Sequence, residues 1–374
     1  MSTQMELKNK KEKKFNILNI LVQNSVPIMF FIICFAGIYA SKLNMNYILN
    51  ELVLRLDRNL LLVLSLIIPV IAGMGLNFAL VIGAMAGQMG LVAIKLLNVG
   101  GIPGLLLAML IAVPFALLFG LGTGKVLNKT KGQEMITSLI LGYFAMGLYQ
   151  LVFLLFMGTI IPVKNPEIIL PGGVGLKNAV DLKFIQYSLD NIWKLNIFGI
   201  KIPMVSILII VLFCYLIRFI VKTKLGQDFR ALGQDIHIAK VAGIHVDNKR
   251  LIAITISTVM AAWGQIMFLQ NIGTLQTYSS HEQVGMFAVA AILVGGATVS
   301  KATIGQAILG TILFHILFIV SPNAGKNLFG DAQLGEFFRA FVAYGVIAMS
   351  LVLHAFQKRA MAKQKAEESE AQMD

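Results

Sequence analysis

Long apolar segments separated by short polar breaks run through almost the whole chain. A helix needs about 20 apolar residues to cross the hydrocarbon core of a bilayer, and about ten segments approach that length. They lie at 24–41, 59–75, 76–97, 102–124, 135–160, 203–222, 250–273, 284–299, 302–320 and 336–356. The pattern therefore predicts an all-α integral membrane protein of about ten transmembrane helices.

One boundary between these segments is weak. The segments 59–75 and 76–97 are contiguous, and together they are too long for one crossing. Pro69, Gly73 and Gly75 lie at the join, where proline removes a backbone donor and glycine loosens the helix. We expect the helix to break near these residues.

Composition agrees with a membrane protein. Hydrophobic residues make up 57% of the chain and charged residues 13%, against about 25% charged residues in a soluble domain. The net charge of +13 would suit nucleic-acid binding. However, the basic residues cluster beside apolar segments, at Lys8–Lys14, Lys125–Lys131, Lys222–Arg250 and Lys358–Lys365. The positive-inside rule gives this distribution to cytoplasmic loops, so no nucleic-acid partner is expected.

The charge distribution also predicts the topology. With the amino terminus in the cytoplasm, about ten crossings place most of the 31 Lys and Arg residues inside. The chain then divides into a basic cytoplasmic segment at 1–23, a transmembrane domain at 24–356 and a cytoplasmic tail at 357–374. Within the domain, 161–202 is a long outside loop and 223–249 a cytoplasmic loop. The outside loop is either a surface cover or a dock for an external partner.

The sequence carries no recognisable catalytic or metal-binding pattern. The run Gly120-Leu-Gly-Thr-Gly124-Lys125-Val126 looks like a phosphate-binding loop. Phe119 and Val126, however, stand where that motif requires Gly and Ser or Thr. The five histidines are scattered, and only His315 sits well inside an apolar segment, as a packed or pore-lining residue. We therefore expect no enzyme activity, no metal site and no cofactor bound by this chain.

Polar side chains inside membrane helices are costly and are candidates for function. Those expected along a solute pathway are Asn77, Gln88, Tyr143, Trp263, Gln265 and Gln270. Amides hydrogen-bond hydroxyls and aromatic faces stack on rings, which suits a neutral polar solute such as a sugar or a nucleoside. The alternative is that these side chains only hydrogen-bond between helices.

The cytoplasmic loop 223–249 has its own helical pattern. Apolar residues recur at three- or four-residue spacing, at Phe229, Leu232, Ile236, Ala239 and Ala242. The spacing predicts a short helix at about 228–242, flanked by Gly226 and Gly243, with Asp235 capping a second helical segment. Such a helix offers an apolar face to a cytoplasmic partner while its ends stay tied to membrane helices.

The same loop carries a sequence resemblance. Gly226-Gln-Asp-Phe-Arg230-Ala231-Leu-Gly233, followed by a helix ending Ala239-Lys-Val-Ala-Gly243-Ile244, resembles the cytoplasmic coupling loop of bacterial ABC importer permeases. The similar branch takes ribose, galactose, autoinducer, nucleosides and branched-chain amino acids. Two further stretches match it, at Gly73–Gly87 and at Ala288–Gly310, and the resemblance covers about residues 60–355.

Two departures from the family pattern leave the solute open. Asn77-Phe-Ala stands where the sugar members usually carry Asp-Leu-Ser. The stretch from Gly132 to Tyr143 is closer to the nucleoside members. The resemblance therefore implies a nucleoside or a simple sugar without choosing between them.

The resemblance implies a division of labour among several chains. Two permease chains, alike or different, would pair with two cytoplasmic ATPases that hold ATP and magnesium. An extracytoplasmic solute-binding protein would deliver the solute, and the assembly would lie in the lipid of the bacterial cytoplasmic membrane. The residues of the coupling motif are Gly226, Phe229, Arg230, Ala231, Gly233, Ala239, Gly243 and Ile244. A stand-alone ion-coupled carrier is the alternative, although deep carboxylates, which such carriers commonly use, are scarce in the apolar segments.

Overall fold

The computed structural model describes residues 24–163, 165–349 and 352. The predicted cytoplasmic segment 1–23 and tail 357–374 lie outside these residues. The helices are α1 (Ser25–Ser41), α2 (Met45–Leu64), α3 (Ile67–Ile71), α4 (Leu80–Leu97), α5 (Gly101–Lys129), α6 (Glu134–Leu151, continued by a π-helical turn Val152–Phe156), α7 (Met204–Lys222), α8 (Lys224–Gln234), α9 (Ile236–Val241), α10 (Val246–Ile272), α11 (Glu282–Val294), α12 (Ile304–Phe329) and α13 (332–349). Four short strands are β1 (Ala179–Asp181), β2 (Lys194–Ile197), β3 (Ile200–Pro203) and β4 (Thr274–Gln276).

The predicted helical membrane class is confirmed. Among the residues that the structure describes, six helices are long and apolar enough to cross a membrane: α4, α5, α6 with its π-helical turn, α7, α10 and α12. Helices α1 and α11 are apolar but shorter. A total of about ten crossings and the cytoplasmic position of both termini stay predictions.

Helix α2 begins earlier than the segment predicted at 59–75. It starts at Met45, where the side chain of Asn44 caps the first turn. Hydropathy missed the first half of α2 because that half carries Glu51 and Arg55, whose side chains pair one turn apart at 3.6 Å. Charged residues on a helix that is otherwise apolar lower the average on which a sequence-based boundary depends.

The predicted break between the two contiguous segments is present. After α3 the chain leaves helical geometry at Gly73 (φ 72°) and Gly75 (φ 69°), and α4 begins at Leu80. Glycine adopts positive φ without a steric penalty, whereas other residues are strained there. The break is enclosed by protein, because Met74 and Leu76 are buried.

Helix α10 lies at the centre of the bundle and packs against α2, α4 and α5. Small residues let these helices approach closely: a Cβ atom added to Gly87 of α4 would lie 2.4 Å from the carbonyl oxygen of Ala262 in α10. Close packing of this kind stabilises helix association in lipid. On the other side of the bundle, α12 packs against α1, α2 and α11.

The outside loop 161–202 is tied to the segment between α10 and α11. Strand β1 of the loop pairs antiparallel with β4, with Val180 opposite Leu275. Two hydroxyl groups extend this join: Thr277 donates to the carbonyl oxygen of Lys177 at 2.8 Å, and Tyr278 donates to that of Leu176 at 2.7 Å. The loop is therefore joined to the end of the bundle where α10 finishes.

Candidate functional site

A cavity of about 330 Å³ lies where α10 ends, at the face that the charge distribution places outside. Its walls come from α2, the end of α10, the segment 274–281, the start of α11 and the middle of α12. Its polar lining residues include Asn59, Gln276, Ser279, Glu282, Gln283 and His315, and its aromatic ones are Phe268 and Phe287. An apolar pocket with a few convergent polar groups is the usual form of a small-solute site.

His315 is the distinctive polar group of this cavity. It is 6% exposed, and its Nδ1 atom has no hydrogen-bond partner among the described residues. Its ring contacts Phe314 and Phe318 edge-on, with centroids 5.5 Å and 6.1 Å away. A buried polar atom without a partner costs free energy, so this nitrogen is available to bind a solute.

Two predicted pathway residues lie behind the cavity wall. The Gln265 amide nitrogen donates to the carbonyl oxygen of Ser280 at 3.1 Å. The Gln88 amide oxygen lies 3.0 Å from Nδ1 of His281 and accepts from the Tyr149 hydroxyl at 2.9 Å. Both glutamines thus hold the segment 274–281, which lines the cavity from its outer side.

The other four predicted pathway residues point elsewhere. Asn77 hydrogen-bonds Ser257 at the helix break, and Gln270 donates to Asp190 of the outside loop. Trp263 donates from its indole nitrogen to the carbonyl oxygen of Met109 on α5. Tyr143 is 60% exposed on the surface of α6. None of the six predicted residues, all in the described part of the chain, lines the 330 Å³ cavity.

Sequence reasoning missed most of the residues that do line the cavity. Asn59 and Gln283 sit at predicted segment ends, and Phe268 and Phe287 look like ordinary core residues in an apolar helix. His315 carried a signal, because a histidine inside an apolar segment is a functional candidate. Its position in the cavity wall agrees with the second of the two predicted roles, that of a residue that lines the pore.

The loop predicted to be cytoplasmic forms two helices, α8 and α9; α8 begins before the predicted start at about 228, and α9 is the second helical segment predicted after Asp235. The chain breaks at Asp235, whose backbone is extended. The predicted cap is confirmed: the Asp235 carboxylate accepts hydrogen bonds from the backbone nitrogens of His237 and Ile238, at 2.7 Å and 3.1 Å. Competition between this cap and helix continuation explains the break.

The apolar face predicted for a partner is instead packed within the chain. Phe229, Leu232 and Ala239 are 2% exposed or less. The apolar side chains that reach solvent are on the other side of α9, where Ile238 is 69% exposed and Val241 is 90% exposed. The prediction was wrong about this face because spacing alone cannot tell which neighbour covers an apolar stripe.

A glycine contact joins the cytoplasmic loop to the helix break. A Cβ atom added to Gly233 of α8 would lie 2.3 Å from the carbonyl oxygen of Ile71, and one added to Gly73 would lie 2.8 Å from Cα of Gly233. The two backbones therefore touch with no side chain between them. Since α3 continues α2, a wall of the cavity is connected to the cytoplasmic loop.

A buried ion pair fixes the base of α10 beside this loop. Arg250 is completely buried and donates to the Glu134 carboxylate at 2.6 Å, to Asn128 at 3.0 Å and to the Leu127 carbonyl oxygen at 3.2 Å. These partners come from the end of α5 and the start of α6. The neighbouring Lys249 pairs with Asp228 of α8 at 2.8 Å. Charge pairs and hydrogen bonds therefore fix the positions of α5, α6, α8 and α10 relative to one another.

Comparison with known proteins places this arrangement among membrane permeases. The family described as "Branched-chain amino acid transport system / permease component" matches residues 58–353. The autoinducer 2 import system permease protein LsrD of Photorhabdus luminescens is 25% identical over 290 residues, which are 77% of this chain and 78% of that protein. The fructose import permease protein FruG of Bifidobacterium longum is 24% identical over 276 residues, 71% of this chain and 72% of that protein.

A third relative matches over a shorter stretch. The autoinducer 2 import system permease protein LsrC of Photorhabdus luminescens is 28% identical over 198 residues, and the match spans 57% of that protein's length and 50% of this chain. No solved structure matches the chain significantly.

Proposed function

Because the chain belongs to this family of transport-system permease components, we propose that it is the transmembrane permease subunit of an ATP-driven ABC importer. It translocates a small polar solute, either a nucleoside or a simple sugar, that an extracytoplasmic solute-binding protein delivers. The subunit itself performs no catalysis: ATP and magnesium are held by cytoplasmic ATPase partners. It works with a second permease chain, alike or different, in the bacterial cytoplasmic membrane.

The contact between Gly233 and Gly73 carries this proposal. It connects a cytoplasmic loop, through α3 and α2, to a cavity wall at the opposite face. Direct backbone contact transmits small displacements, because no flexible side chain lies between the two segments to absorb them. A loop that only connected two helices would have no need of such a contact.

The cavity supports the proposed class of solute. Phe268 and Phe287 contribute aromatic rings to the lining, while His315, Asn59 and Gln283 contribute hydrogen-bonding groups. The relatives named above import autoinducer 2 and fructose, as their names state. A sugar ring with several hydroxyl groups packs against the aromatic side chains and hydrogen-bonds the polar ones. A nucleoside adds a planar base that stacks on the aromatic side chains.

Reconstitution tests the proposed function. The chain is placed in proteoliposomes with its partner ATPase and solute-binding protein, and radiolabelled uptake is measured with and without ATP inside. We expect uptake only with all components and ATP. Uptake by the chain alone, driven by a sodium or proton gradient, would contradict the proposal. Thermal-shift screening of the binding protein with nucleosides, pentoses and hexoses then selects the solute.

Substitution of both exposed apolar residues of α9 tests the ATPase surface. Ile238→Asp with Val241→Asp places charges at two positions that are 69% and 90% exposed. We expect insertion to be unchanged and ATPase binding to weaken by about 2 kcal/mol, which is roughly thirty-fold, because buried anchors dominate such interfaces. Co-purification of the ATPase measures this. The matched control, Ile238→Val with Val241→Ile, keeps both apolar surfaces and should bind normally.

Removal of the unpartnered histidine tests the cavity. For His315→Leu we expect uptake to fall about five-fold, since one solute hydrogen bond is worth about 1 kcal/mol, while thermal stability stays equal or rises. His281→Leu is the contrasting variant: His281 is paired with Gln88, so its loss should lower stability. Unchanged uptake by His315→Leu would place the solute path elsewhere.

A further inference from the structure

The hairpin formed by β2 and β3 has one polar and one apolar face. Side chains alternate between the two faces of a strand, and residues opposite each other share a face. The pairing register puts the polar side chains on one face, those of Lys194, Asn196 and Lys201. The other face carries four apolar side chains, those of Leu195, Ile197, Ile200 and Ile202. The two lysines line a cavity of about 350 Å³ together with Tyr187, so the apolar face is turned away from that cavity.

The turn of the hairpin presents an exposed aromatic side chain. Phe198 and Gly199 are its two central residues, with φ 51° and φ 84°. Two positive φ angles are typical of a type I′ turn, which favours Asn-Gly. A bulky residue is disfavoured at positive φ, and Phe198 is 92% exposed. Packing within the described part of the chain therefore does not explain an aromatic residue at this turn.

The hairpin stands along the outer half of α2. The Asn50 side chain donates to the carbonyl oxygen of Gly199 at 3.0 Å and accepts from the backbone nitrogen of Lys201 at 2.8 Å. A Cβ atom added to Gly199 would lie 3.5 Å from the side-chain nitrogen of Asn46, so the turn is level with the first turn of α2. At the other end, β3 finishes at Pro203 and α7 begins at the next residue. The hairpin therefore extends outward from the start of α7.

The lengths of these elements decide whether the turn lies in lipid or beyond it. The 19 residues of α7 extend about 28 Å, close to the roughly 30 Å of the hydrocarbon core, so α7 begins near the outer hydrocarbon boundary. A strand of four residues adds about 13 Å, whereas one headgroup layer is about 5–8 Å thick. Beside the hairpin, α2 carries Glu51 and Arg55, which also avoid hydrocarbon. The turn therefore clears the bilayer on the side predicted to be outside.

The charge next to the turn is positive. Lys194 and Lys201 are exposed on the polar face. The carboxylate in their cavity, Asp190, is 1% exposed and already accepts hydrogen bonds from Ser206 and Asn271, so it contributes little to the surface. A partner that fits this surface has an apolar pocket bordered by acidic side chains. An aromatic anchor in a pocket with a charged rim is the usual arrangement of a specific protein interface.

We propose that the hairpin of β2 and β3 is where the solute-binding protein docks on this chain. Phe198 and Ile197 enter an apolar pocket of that protein, and Lys194 and Lys201 face acidic side chains around it. This inference rests on the proposed function, which requires such a partner, and adds the place and the chemistry of the contact. The edge of the hairpin is held by α2, which lines the solute cavity through Asn59. Docking is therefore connected to the cavity through one helix.

Titration with the binding protein tests the hairpin. The chain is reconstituted with its partner ATPase, and uptake is measured against the outside concentration of the purified partner solute-binding protein. For Phe198→Asn we expect the half-saturating concentration to rise roughly ten-fold or more, because a buried aromatic anchor is lost. The maximal uptake should stay near that of the wild type. The thermal unfolding midpoint should stay equal or rise, because Asn suits the turn.

Three matched variants accompany this change. Phe198→Leu keeps an apolar side chain on the same backbone and should be closer to the wild type than to Phe198→Asn. Lys194→Gln with Lys201→Gln should raise the half-saturating concentration several-fold and weaken its dependence on salt. Phe329→Asn makes the aromatic-to-amide change at the end of α12, where Phe329 is 68% exposed, and should behave like the wild type.

The outcomes separate this inference from the proposed function. A wild-type half-saturating concentration for Phe198→Asn, in proteoliposomes that transport, overturns the docking site and leaves the proposed function intact. Absence of ATP-driven uptake contradicts the proposed function, and co-sedimentation of the binding protein with the proteoliposomes, without ATP, then decides the docking by itself. In Phe198→Trp, tryptophan emission that brominated phospholipid quenches more than in the wild type, before the binding protein is added, would place the turn in the bilayer and overturn the docking site.

Discussion

Gly233→Ala should reduce ATP-driven uptake by roughly 10- to 100-fold, because the added methyl group overpacks the contact at a cost of about 1–3 kcal/mol. The new Cβ would lie 2.3 Å from the carbonyl oxygen of Ile71 and 3.3 Å from the backbone nitrogen of Gly73. Neither is a flexible side chain, so α8 and α3 must move apart. The expected phenotype is ATP hydrolysis that continues without matching uptake.

Uptake and ATP hydrolysis measured in the same proteoliposomes give the coupling ratio. Gly122→Ala on α5 is the matched control, because a Cβ there meets nothing within 4 Å and alanine favours the helix. We expect this control to transport normally. A wild-type coupling ratio for Gly233→Ala would remove the loop-to-cavity route from the mechanism.

The largest expected loss of stability comes from Arg250→Met. Removing one partner of a buried ion pair leaves the other charge uncompensated and costs about 3–5 kcal/mol. That is a large share of the roughly 5–15 kcal/mol that stabilises a typical folded protein. Since Glu134 would then be a buried charge without its arginine, the variant should accumulate poorly and unfold at a much lower temperature.

A double variant distinguishes this mechanism from a simple packing defect. Arg250→Met combined with Glu134→Met removes both charges, and it should recover most of the lost stability because apolar replacements of buried pairs are often neutral. The comparison pair, Lys183 and Asp181, is exposed, so Lys183→Ala should change stability by less than about 0.5 kcal/mol. A double variant no more stable than Arg250→Met alone would contradict the account.

Much of the helical framework follows from sequence alone. The helix break is predictable because Pro69 removes a backbone donor and Gly73 and Gly75 tolerate non-helical geometry, and Asp235 has the chemistry of a cap. The start of α2 is not predictable from hydropathy, since Glu51 and Arg55 neutralise each other only once the helix exists. The pairing of two charged side chains depends on the folded helix, and hydropathy averaged over a sequence window carries no information about it.

The candidate site was less accessible from sequence than the framework. Amides inside the membrane were the natural candidates, yet Gln88 and Gln265 hold the cavity wall rather than line it. The direction of a side chain depends on helix rotation, which neighbouring helices set. The loop 223–249 has the same difficulty: the spacing of Phe229 and Ala239 is correct for a stripe, and only the packed fold assigns that stripe to the interior.

The pairing of β1 with β4 has a consequence for how the protein is made. Ala179 is opposite Gln276, so the strand on the outside loop has no partner until α10 has been synthesised and has crossed the bilayer. Contacts between distant parts of a chain form late because their loop entropy must be overcome first. The join between the outside loop and the segment after α10 therefore forms only after residue 276 has been synthesised. A nascent chain halted before residue 274 would present its translocated loop unpaired, as a target for surface proteases or chaperones.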